Sequence, residues 1–408
     1  MKYLSLATSA CALLAFSFSP AQAEENDFVT ALKSGKPYAE ARFLYETVDQ
    51  DNISRAADAS TLRTVLGYKT GVFEGFQADL GVFNISHLGP EHFDDGRNGH
   101  TLYPKVTDPR TTELYMANIA YTGVPDTTVI VGRQKIALDN QRWVGAPSWR
   151  QVPQTFDAAT VENKSIKDLA LFYGYVREQN RPASAQVANG AYHMDTHLFH
   201  AAYSGVRHLR LSGFSYLADI DNSDTQSSIT SGLRAEGEYP LNGDVTLTAN
   251  AEYARQSDYG DNPGDYGLNY YLFEPGVDIG GFSFGGGYEL SEGDGTHAVQ
   301  SPMKSAHGFN GWADMFSATP AGGLRDAYLT AAYSFRPPVE YLDKAKIQFQ
   351  AHNFHGDSAG GHYGNEYDLD LTQNFARNFA ATVQYADYRA DTFSTDTKKL
   401  SFVLQFKY

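Results

Sequence analysis

The chain has 408 residues, of which 42% are hydrophobic and 13% aromatic, and its formal net charge is −16. This acidic excess argues against nucleic acid as a partner, because binding to phosphates depends on lysine and arginine. No uninterrupted apolar stretch approaches the roughly 20 residues that a helical span requires, so a membrane-spanning form of this chain would have to be a β-barrel.

The first 23 residues predict a secretory signal peptide. Lys2 gives a short positive start, residues 4–18 form a small apolar run, and Ala21-Gln22-Ala23 is an A-x-A cleavage site. The apolar run is too short to span a membrane as a helix. The single cysteine, Cys11, lies inside this segment, so we expect an exported mature chain without disulfides, thiolate metal sites or cysteine catalysis.

From Tyr38 to the end, apolar and polar residues alternate with a period of two, as in residues 39–46 (AEARFLYE). Side chains of a strand point alternately to its two faces, so the pattern predicts strands with one face on lipid and one on water. We count 18 candidate strands, which begin near residues 38, 61, 76, 113, 127, 156, 168, 197, 208, 230, 244, 266, 282, 324, 345, 365, 378 and 398.

The connections between these strands mostly alternate between long and short, which is typical of barrels with long external loops and short periplasmic turns. The sequence therefore predicts an all-β protein. Residues 24–37 form a periplasmic segment, and residues 38–408 form a single antiparallel transmembrane barrel. We expect no second domain. The long connections are predicted at 48–60, 88–112, 135–155, 177–196, 218–229, 291–323 and 389–397.

The last strand, Lys399–Tyr408, has apolar side chains at every second position, with Val403 as the one apolar residue on the opposite face. A terminal strand of this kind, ending in an aromatic residue, is typical of bacterial outer-membrane barrels. We therefore expect a Gram-negative outer-membrane location, contact with outer-membrane lipid, and recognition of this strand by the barrel-assembly machinery. The alternative is a secreted soluble β-protein.

The predicted third external loop, residues 135–155, is the strongest candidate site. Arginine matches carboxylates with a planar fork of donors, and tryptophan offers a flat face to a sugar ring. The two loop arginines could contact an anionic solute, pin the loop to carboxylates of the wall, or lie in solvent. The basic and aromatic residues of the loop are Lys135, Arg142, Trp143, Trp149 and Arg150.

Other charged residues have the parity of the water-facing side of their strands. In a water-filled barrel each of them is more often an internal ion-pair partner than a selectivity element. We predict that they line the pore: Arg42, Arg63, Lys69, Asp79, Arg234, Glu252, Asp368 and Asp370.

No residue pattern predicts catalysis, a cofactor or a metal site. The chain has no nucleophile elbow and no HExxH motif, and its Asp/Gly-rich loops do not match the spacing of a calcium loop. The insertion at 291–323 could act as a lid or line the pore. Its segment Gly308–Ala318 is predicted to form a short helix with Phe309, Trp312 and Phe316 on one face.

Two blocks of the sequence carry a resemblance: the first is similar to the alginate-export family of outer-membrane porins, and the second to a segment of uncharacterised relatives of that family. The first block contains Gly132-Arg133-Gln134, Arg142, Trp149-Arg150-Gln151 and Thr155-Phe156-Asp157-Ala158. The second contains Phe309-Asn310-Gly311-Trp312-Ala313-Asp314, Thr319-Pro320, Gly322-Gly323-Leu324, Asp326 and Tyr328.

The resemblance implies an 18-stranded, monomeric barrel with a basic constriction suited to an acidic sugar polymer or its oligomers. Arg133, Arg142 and Arg150 would then be the selectivity residues. The leading hypothesis is a passive porin for hydrophilic, anionic solutes such as uronate oligo- or polysaccharides. The alternatives are a general, weakly cation-preferring porin and, more remotely, a structural or enzymatic barrel.

Overall fold

The computed structural model describes residues 27–358 and 360–408, so the predicted signal peptide lies outside the described residues. Within them, no helix is long and apolar enough to cross a membrane. A short helix, α1 (Asp27–Lys33), precedes a sheet of 18 strands. The strands are β1 Lys36–Gln50, β2 Ala57–Lys69, β3 Phe76–His87, β4 Thr111–Tyr121, β5 Thr127–Gln134, β6 Thr155–Asn163, β7 Leu169–Asn180, β8 Ala191–Val206, β9 Leu209–Ile220, β10 Ser228–Pro240, β11 Val245–Asp258, β12 Gly267–Ile279, β13 Phe282–Ser291, β14 Leu324–Phe335, β15 Leu342–His355, β16 His362–Phe375, β17 Phe379–Ala390 and β18 Thr397–Lys407.

The sheet closes on itself, because β1 pairs antiparallel with both β2 and β18. Every backbone polar group of a strand can then be satisfied by a neighbouring strand, which is the condition for crossing a bilayer with strands. The predicted all-β barrel of 18 strands is confirmed. The largest error in a predicted strand start is six residues, at β8, which begins at Ala191 and not near residue 197.

The two faces of the wall follow the predicted alternation. In β18, Leu400, Phe402 and Leu404 are exposed on the outside, whereas Ser401 and Val403 are buried on the inside. The outward apolar side chains form the belt expected at the lipid acyl chains. Val403, which interrupts the polar face in the sequence, packs inward and leaves the lipid face unchanged.

Long and short connections lie at opposite ends of the barrel, as predicted. The turns at the periplasmic end include residues 207–208 and 280–281, and the longest of them are 70–75 and 336–341. The external connections include loop 2 (88–110), loop 3 (135–154), loop 4 (181–190) and loop 7 (292–323). Loops 3 and 7 pair with each other inside the barrel, where the Gly145 amide donates to the Met303 carbonyl at 2.9 Å.

The helix predicted for Gly308–Ala318 is wrong. Loop 7 contains only a 3-10 turn at Ala306–Gly308 and then runs through irregular turns. Asn310, Gly311 and Asp314 have φ values of 58°, 84° and 62°. This left-handed conformation cannot be part of a right-handed helix.

We predict that a new arginine destabilises the barrel much more on the outer face of the wall than on the inner face. Leu329 faces outward near the middle of β14, so Leu329→Arg should destabilise the barrel by about 2–4 kcal/mol, because the guanidinium would lie in hydrocarbon. Gln348→Arg is the matched control, since Gln348 faces the lumen opposite Asp370 and should cost much less. Reversible unfolding in urea, with the protein inserted in vesicles, measures both. Equal costs would contradict the assigned faces.

Candidate functional site

Gln151 fastens loop 3 to the inner wall. Its backbone amide donates to Asp108 at 2.6 Å, and its side-chain amide donates to the Thr61 hydroxyl at 2.9 Å and the Arg42 carbonyl at 3.1 Å. The Arg42 guanidinium returns a hydrogen bond to the Gln151 amide oxygen at 3.1 Å. All four residues are buried, so these bonds replace hydration and fix the loop against β1 and β2.

Arg150, next to this anchor, forms a two-pronged contact with Glu46. One nitrogen lies 2.9 Å from the carboxylate, the second also donates to it, and Asp108 lies 3.6 Å away. Burial alone would lower the pKa of Arg150, but the carboxylates of Glu46 and Asp108 outweigh burial and hold this pKa above its ordinary value. Arg150 therefore stays charged, and it both pins the loop and faces the cavity described below.

Arg142 is buried, with a side chain that is 1% exposed. It donates to Glu289 at 2.7 Å and to Ser291 at 3.2 Å, and it lies over the rings of Tyr270 and Phe309 at 5.3 and 5.2 Å. A solute in the lumen cannot reach this guanidinium. The prediction that Arg142 selects solutes is therefore corrected, and of the alternatives the structure favours anchoring of the loop.

Trp143 is also an anchor. Its indole N–H donates to Glu252 at 2.5 Å, and its ring meets Tyr270 edge-to-face at 5.1 Å. Glu252 in addition accepts from Arg234 at 2.8 Å. Because the indole is buried in the core, it cannot stack on a sugar, which corrects the prediction for this residue.

Arg133 faces away from the lumen. Its neighbour Gln134 is buried on the inner face, and Val131, which shares its parity, is 55% exposed on the outer face. Arg133 forms two hydrogen bonds, of 2.6 and 2.7 Å, with Asp157 on the adjacent strand. The prediction that Arg133 lines the constriction is thus corrected, and the parity it shares with Val129 and Val131 is the sequence signal that could have shown this.

Lys135 lies in the periplasmic half of the lumen. Its amine is 4.9 Å from the centre of the Tyr115 ring, and it lines a cavity of about 280 Å³ together with Tyr38, Asp79 and Lys407. It is exposed, unlike Arg142 and Trp143 of the same loop.

The predicted pore-lining residues all lie on strands at inward positions. Their accessibility divides them into two groups. Those covered by the inward loops are buried: Arg42, Arg63, Arg234, Glu252 and Asp368. Those toward the periplasmic end are partly or fully open: Lys69, Asp79 and Asp370.

Loop 7 fills the opposite side of the lumen and does not project outward as a lid. Its Ala313 amide donates to Glu366 at 2.6 Å, and the Asn310 side chain donates to Glu289 at 3.0 Å and Asp326 at 3.2 Å. Loops 3 and 7 together therefore narrow the lumen of the barrel.

An external vestibule of about 640 Å³ lies above this constriction, lined by loops 2, 3, 4 and 7 and by β18. Its lining contains two acids, Asp95 and Asp314. The cations of the lining outnumber them: Lys105, Arg150, Arg181 and Lys399.

The vestibule cations differ in how they are neutralised. Lys399 pairs with Asp314 at 2.8 Å. Arg181 donates to the Asn189 carbonyl at 2.7 Å and lies 4.3 Å from the Tyr192 ring centre. Within the described residues, neither Lys105 nor Arg181 has an ion-pair partner, so both leave their charge uncompensated at the mouth.

The floor of the vestibule is an aromatic stack. Trp149 and His307 lie parallel, with centroids 4.0 Å apart and an interplanar angle of 3°. His307 contacts Asp314 at 2.8 Å and Gln384 at 2.9 Å. Burial would raise the pKa of Asp314, but His307 and Lys399 outweigh it and hold the pKa well below its ordinary range, so this carboxylate stays ionised.

Sequence reasoning placed Trp149 and Arg150 at the site but missed Lys105, Arg181 and His307, which reach it from loops 2, 4 and 7. Loop positions carry no periodic signal, so nothing local in the sequence marks them. Lys399 was recognisable, since its parity in β18 is that of the inward residues Ser401 and Val403.

Comparison with known proteins gives two kinds of match. The family model described as alginate export matches residues 90–257. Among solved structures, Acinetobacter baumannii OccAB2 superposes with a TM-score of 0.71 at 17% identity, covering 93% of this chain and 99% of that one. Pseudomonas aeruginosa OpdQ gives 0.70 at 16% identity, covering 92% and 99%.

A third solved structure is that of Pseudomonas aeruginosa OpdK with vanillate, which gives a TM-score of 0.70 at 18% identity and covers 92% of this chain and 99% of that one. No curated protein matches the chain. The resemblance to alginate-export porins, the barrel fold and the bacterial outer-membrane location are confirmed. The matching family model is described as alginate export, a transport function, which agrees with the expectation that the chain is not an enzyme.

We predict that Arg142 and Glu289 stabilise the barrel only when both are present. Arg142→Met leaves Glu289 buried without its cation and should cost about 3–5 kcal/mol in the free energy of unfolding. Adding Glu289→Gln should recover much of that loss, because the buried charge is then gone. Urea unfolding of the two single variants and the double variant tests this, and additive losses would contradict it.

Lys304 should make the free energy of unfolding depend on pH. It is buried in loop 7 and donates to the Phe316 carbonyl at 3.3 Å. Burial, aided by Arg142, lowers its pKa to about 7. Between this value and its unfolded pKa of about 10.4, the unfolded chain binds more protons, so the group makes stability rise with pH.

Lys304→Met should therefore raise the free energy of unfolding most at pH 6.5 and less at pH 9.5. Lys344→Met, at an exposed position, is the control and should give no such trend. Urea unfolding at both pH values measures the differences. A gain from Lys304→Met that grows with pH would overturn the assignment.

Proposed function

We propose that this chain, an outer-membrane barrel resembling the alginate-export family of porins, is a passive channel for hydrophilic solutes whose external vestibule favours anions. The substrate class we assign comprises short uronate oligosaccharides and other organic carboxylates. The observation that carries the proposal is the vestibule itself, where cations outnumber acids and Lys105 and Arg181 have no ion-pair partner in the described chain.

Electrostatics supports an anion preference in spite of the net charge of −16. The total charge counts acids in every loop and turn, whereas a permeating ion responds to the charges beside its path. Unpaired charges at the mouth of a cleft with low-dielectric walls concentrate counter-ions there. Lys105 and Arg181 would therefore raise the local concentration of anions above the constriction.

The residues at the floor of the vestibule argue for a preference for solutes with a carboxylated ring. The exposed edge of Arg150 offers guanidinium donors that suit a carboxylate. Trp149, whose ring is stacked on His307 and lies 5.7 Å from the Arg42 guanidinium, offers an apolar edge to a sugar or aromatic ring. Two comparisons agree with this chemistry: the matched family is described by alginate, a uronate polymer, and OpdK was solved with vanillate, an aromatic carboxylate. A cavity of about 640 Å³ is of the size that holds a small molecule, which favours short oligomers.

A general, cation-preferring porin is the second candidate. The observation in its favour is the periplasmic half of the lumen, where Asp79 and Asp370 lie on the inner wall. Lys135 and Lys407 lie in the same half and offset these acids. The two candidates predict opposite signs of the reversal potential in a salt gradient.

We predict that the channel is anion-selective and that its selectivity depends on the two unpaired cations. In a planar bilayer with a KCl gradient, the reversal potential of the wild-type channel should have the sign of chloride permeation. The double variant Lys105→Gln/Arg181→Gln should move it toward the cation side, since the vestibule then loses its uncompensated charge.

Lys164→Gln is the matched control, because Lys164 lies on a periplasmic turn and pairs with Glu162 at 2.8 Å. It should leave the reversal potential unchanged. If the wild-type channel is cation-selective and the double substitution does not change its reversal potential, the general porin would be the better account. The absence of conductance would indicate a closed barrel.

A further inference from the structure

The helix α1 lies at the periplasmic rim, attached to the turn between β2 and β3. The Gly71 amide donates to the Ala31 carbonyl at 2.8 Å, and the Tyr68 hydroxyl donates to the Leu32 carbonyl. Because one backbone and one side-chain hydrogen bond hold the helix, α1 has a defined position on the rim.

The helix sits on the outer side of the barrel wall. Tyr68 shares its parity with Leu66, which is exposed on the outer face of β2. A Cβ at Gly35 would clash with the Tyr68 ring, so only glycine lets the chain pass this closely from α1 into β1. Helix α1 therefore contacts neither the lumen nor the external vestibule.

One flank of α1 is apolar and is not covered by any part of the chain that the structure describes. Ala31 is buried against the rim, whereas Phe28, Val29 and Leu32 are exposed. With about 100° between successive residues of a helix, these three share one flank and Thr30 lies on the other. The exposed apolar flank requires a nonpolar environment, because apolar surface in contact with water is unfavourable.

This flank continues the lipid-facing surface. The Phe28 ring meets Phe73 edge-to-face at 5.5 Å, and Val72 and Phe76 beside it are exposed. Phe76 in turn packs on Tyr121 at 4.5 Å. Aromatic residues at this height form the girdle that barrels place at the membrane interface.

We propose that α1 is an interfacial anchor that lies on the periplasmic leaflet, with Phe28, Val29 and Leu32 inserted at the boundary between head groups and acyl chains. Its partner is the phospholipid surface, since the apolar flank is continuous with a belt that lipid must surround. Short amphipathic helices bind membranes in this way. The proposal is independent of which solute the channel carries.

Depth-dependent quenching tests the proposal. Residues 24–408 contain no cysteine, so single cysteines at Phe28, Leu32 and Thr30 can each carry an environment-sensitive fluorophore in the full barrel, inserted in phosphatidylethanolamine/phosphatidylglycerol vesicles. We expect blue-shifted emission and strong quenching by lipids brominated near the head group at positions 28 and 32. Thr30→Cys, the matched control, should emit as in water and be quenched by aqueous iodide.

Two results would overturn the proposal. Equal iodide quenching at all three positions would place the helix in water. Shielding at 28 and 32 from both iodide and brominated lipid would show that protein covers the flank, and a dependence on protein concentration would identify a second copy as that protein.

Polar substitutions give a second readout. Phe28→Asp/Leu32→Asp should expose the peptide bonds around α1 to protease enclosed with the periplasmic face, while Thr30→Asp should not. Because α1 lies outside the lumen, both variants should keep the wild-type conductance, which also shows that the barrel has folded. Unchanged protection in the double variant would contradict membrane anchoring.

Discussion

A charge withdrawn from water must be neutralised, and this constraint organises the interior of the barrel. Loops 3 and 7 fold into the lumen because the wall supplies carboxylates and amides for their polar groups, as Glu46 does for Arg150 and Glu289 for Arg142. Isolated buried charges would cost several kcal/mol each. The paired charges therefore hold the constriction, and the few unpaired ones are left to set the field that a solute meets.

This separation of roles explains why a strongly acidic chain can present a basic mouth. Most inward arginines are occupied by structural pairs and contribute little field beyond their partners. Lys105 and Arg181 come from loops 2 and 4, lie above the anchored region and have no such pair in the described chain. The anchoring of loop 3 thus positions Trp149 and Arg150 at the floor of the vestibule, and Lys105 and Arg181 at its rim attract anions.

The fold could be read from the sequence because its signals are local. A period of two marks each strand, and the alternation of long and short connections orients the barrel without knowledge of any contact. The site could be read only in part, since its pairs join distant positions, such as Arg142 with Glu289. Arg133 was assigned to the lumen, although the parity that it shares with Val131 indicates the outer face. The helix expected near Phe309 does not form, because Gly311 and its neighbours adopt a left-handed backbone conformation.

The most direct test of the account measures the electrostatic potential in the vestibule. Ser317 is exposed and lines the cavity, whereas Ser394 lies in the last external loop outside it. With a single cysteine at either position, an anionic thiol reagent should react faster than its cationic counterpart at 317, by about tenfold at low salt, and show much less preference at 394. The preference should fall with added salt. Faster reaction of the cationic reagent at 317 would contradict an anion-attracting vestibule.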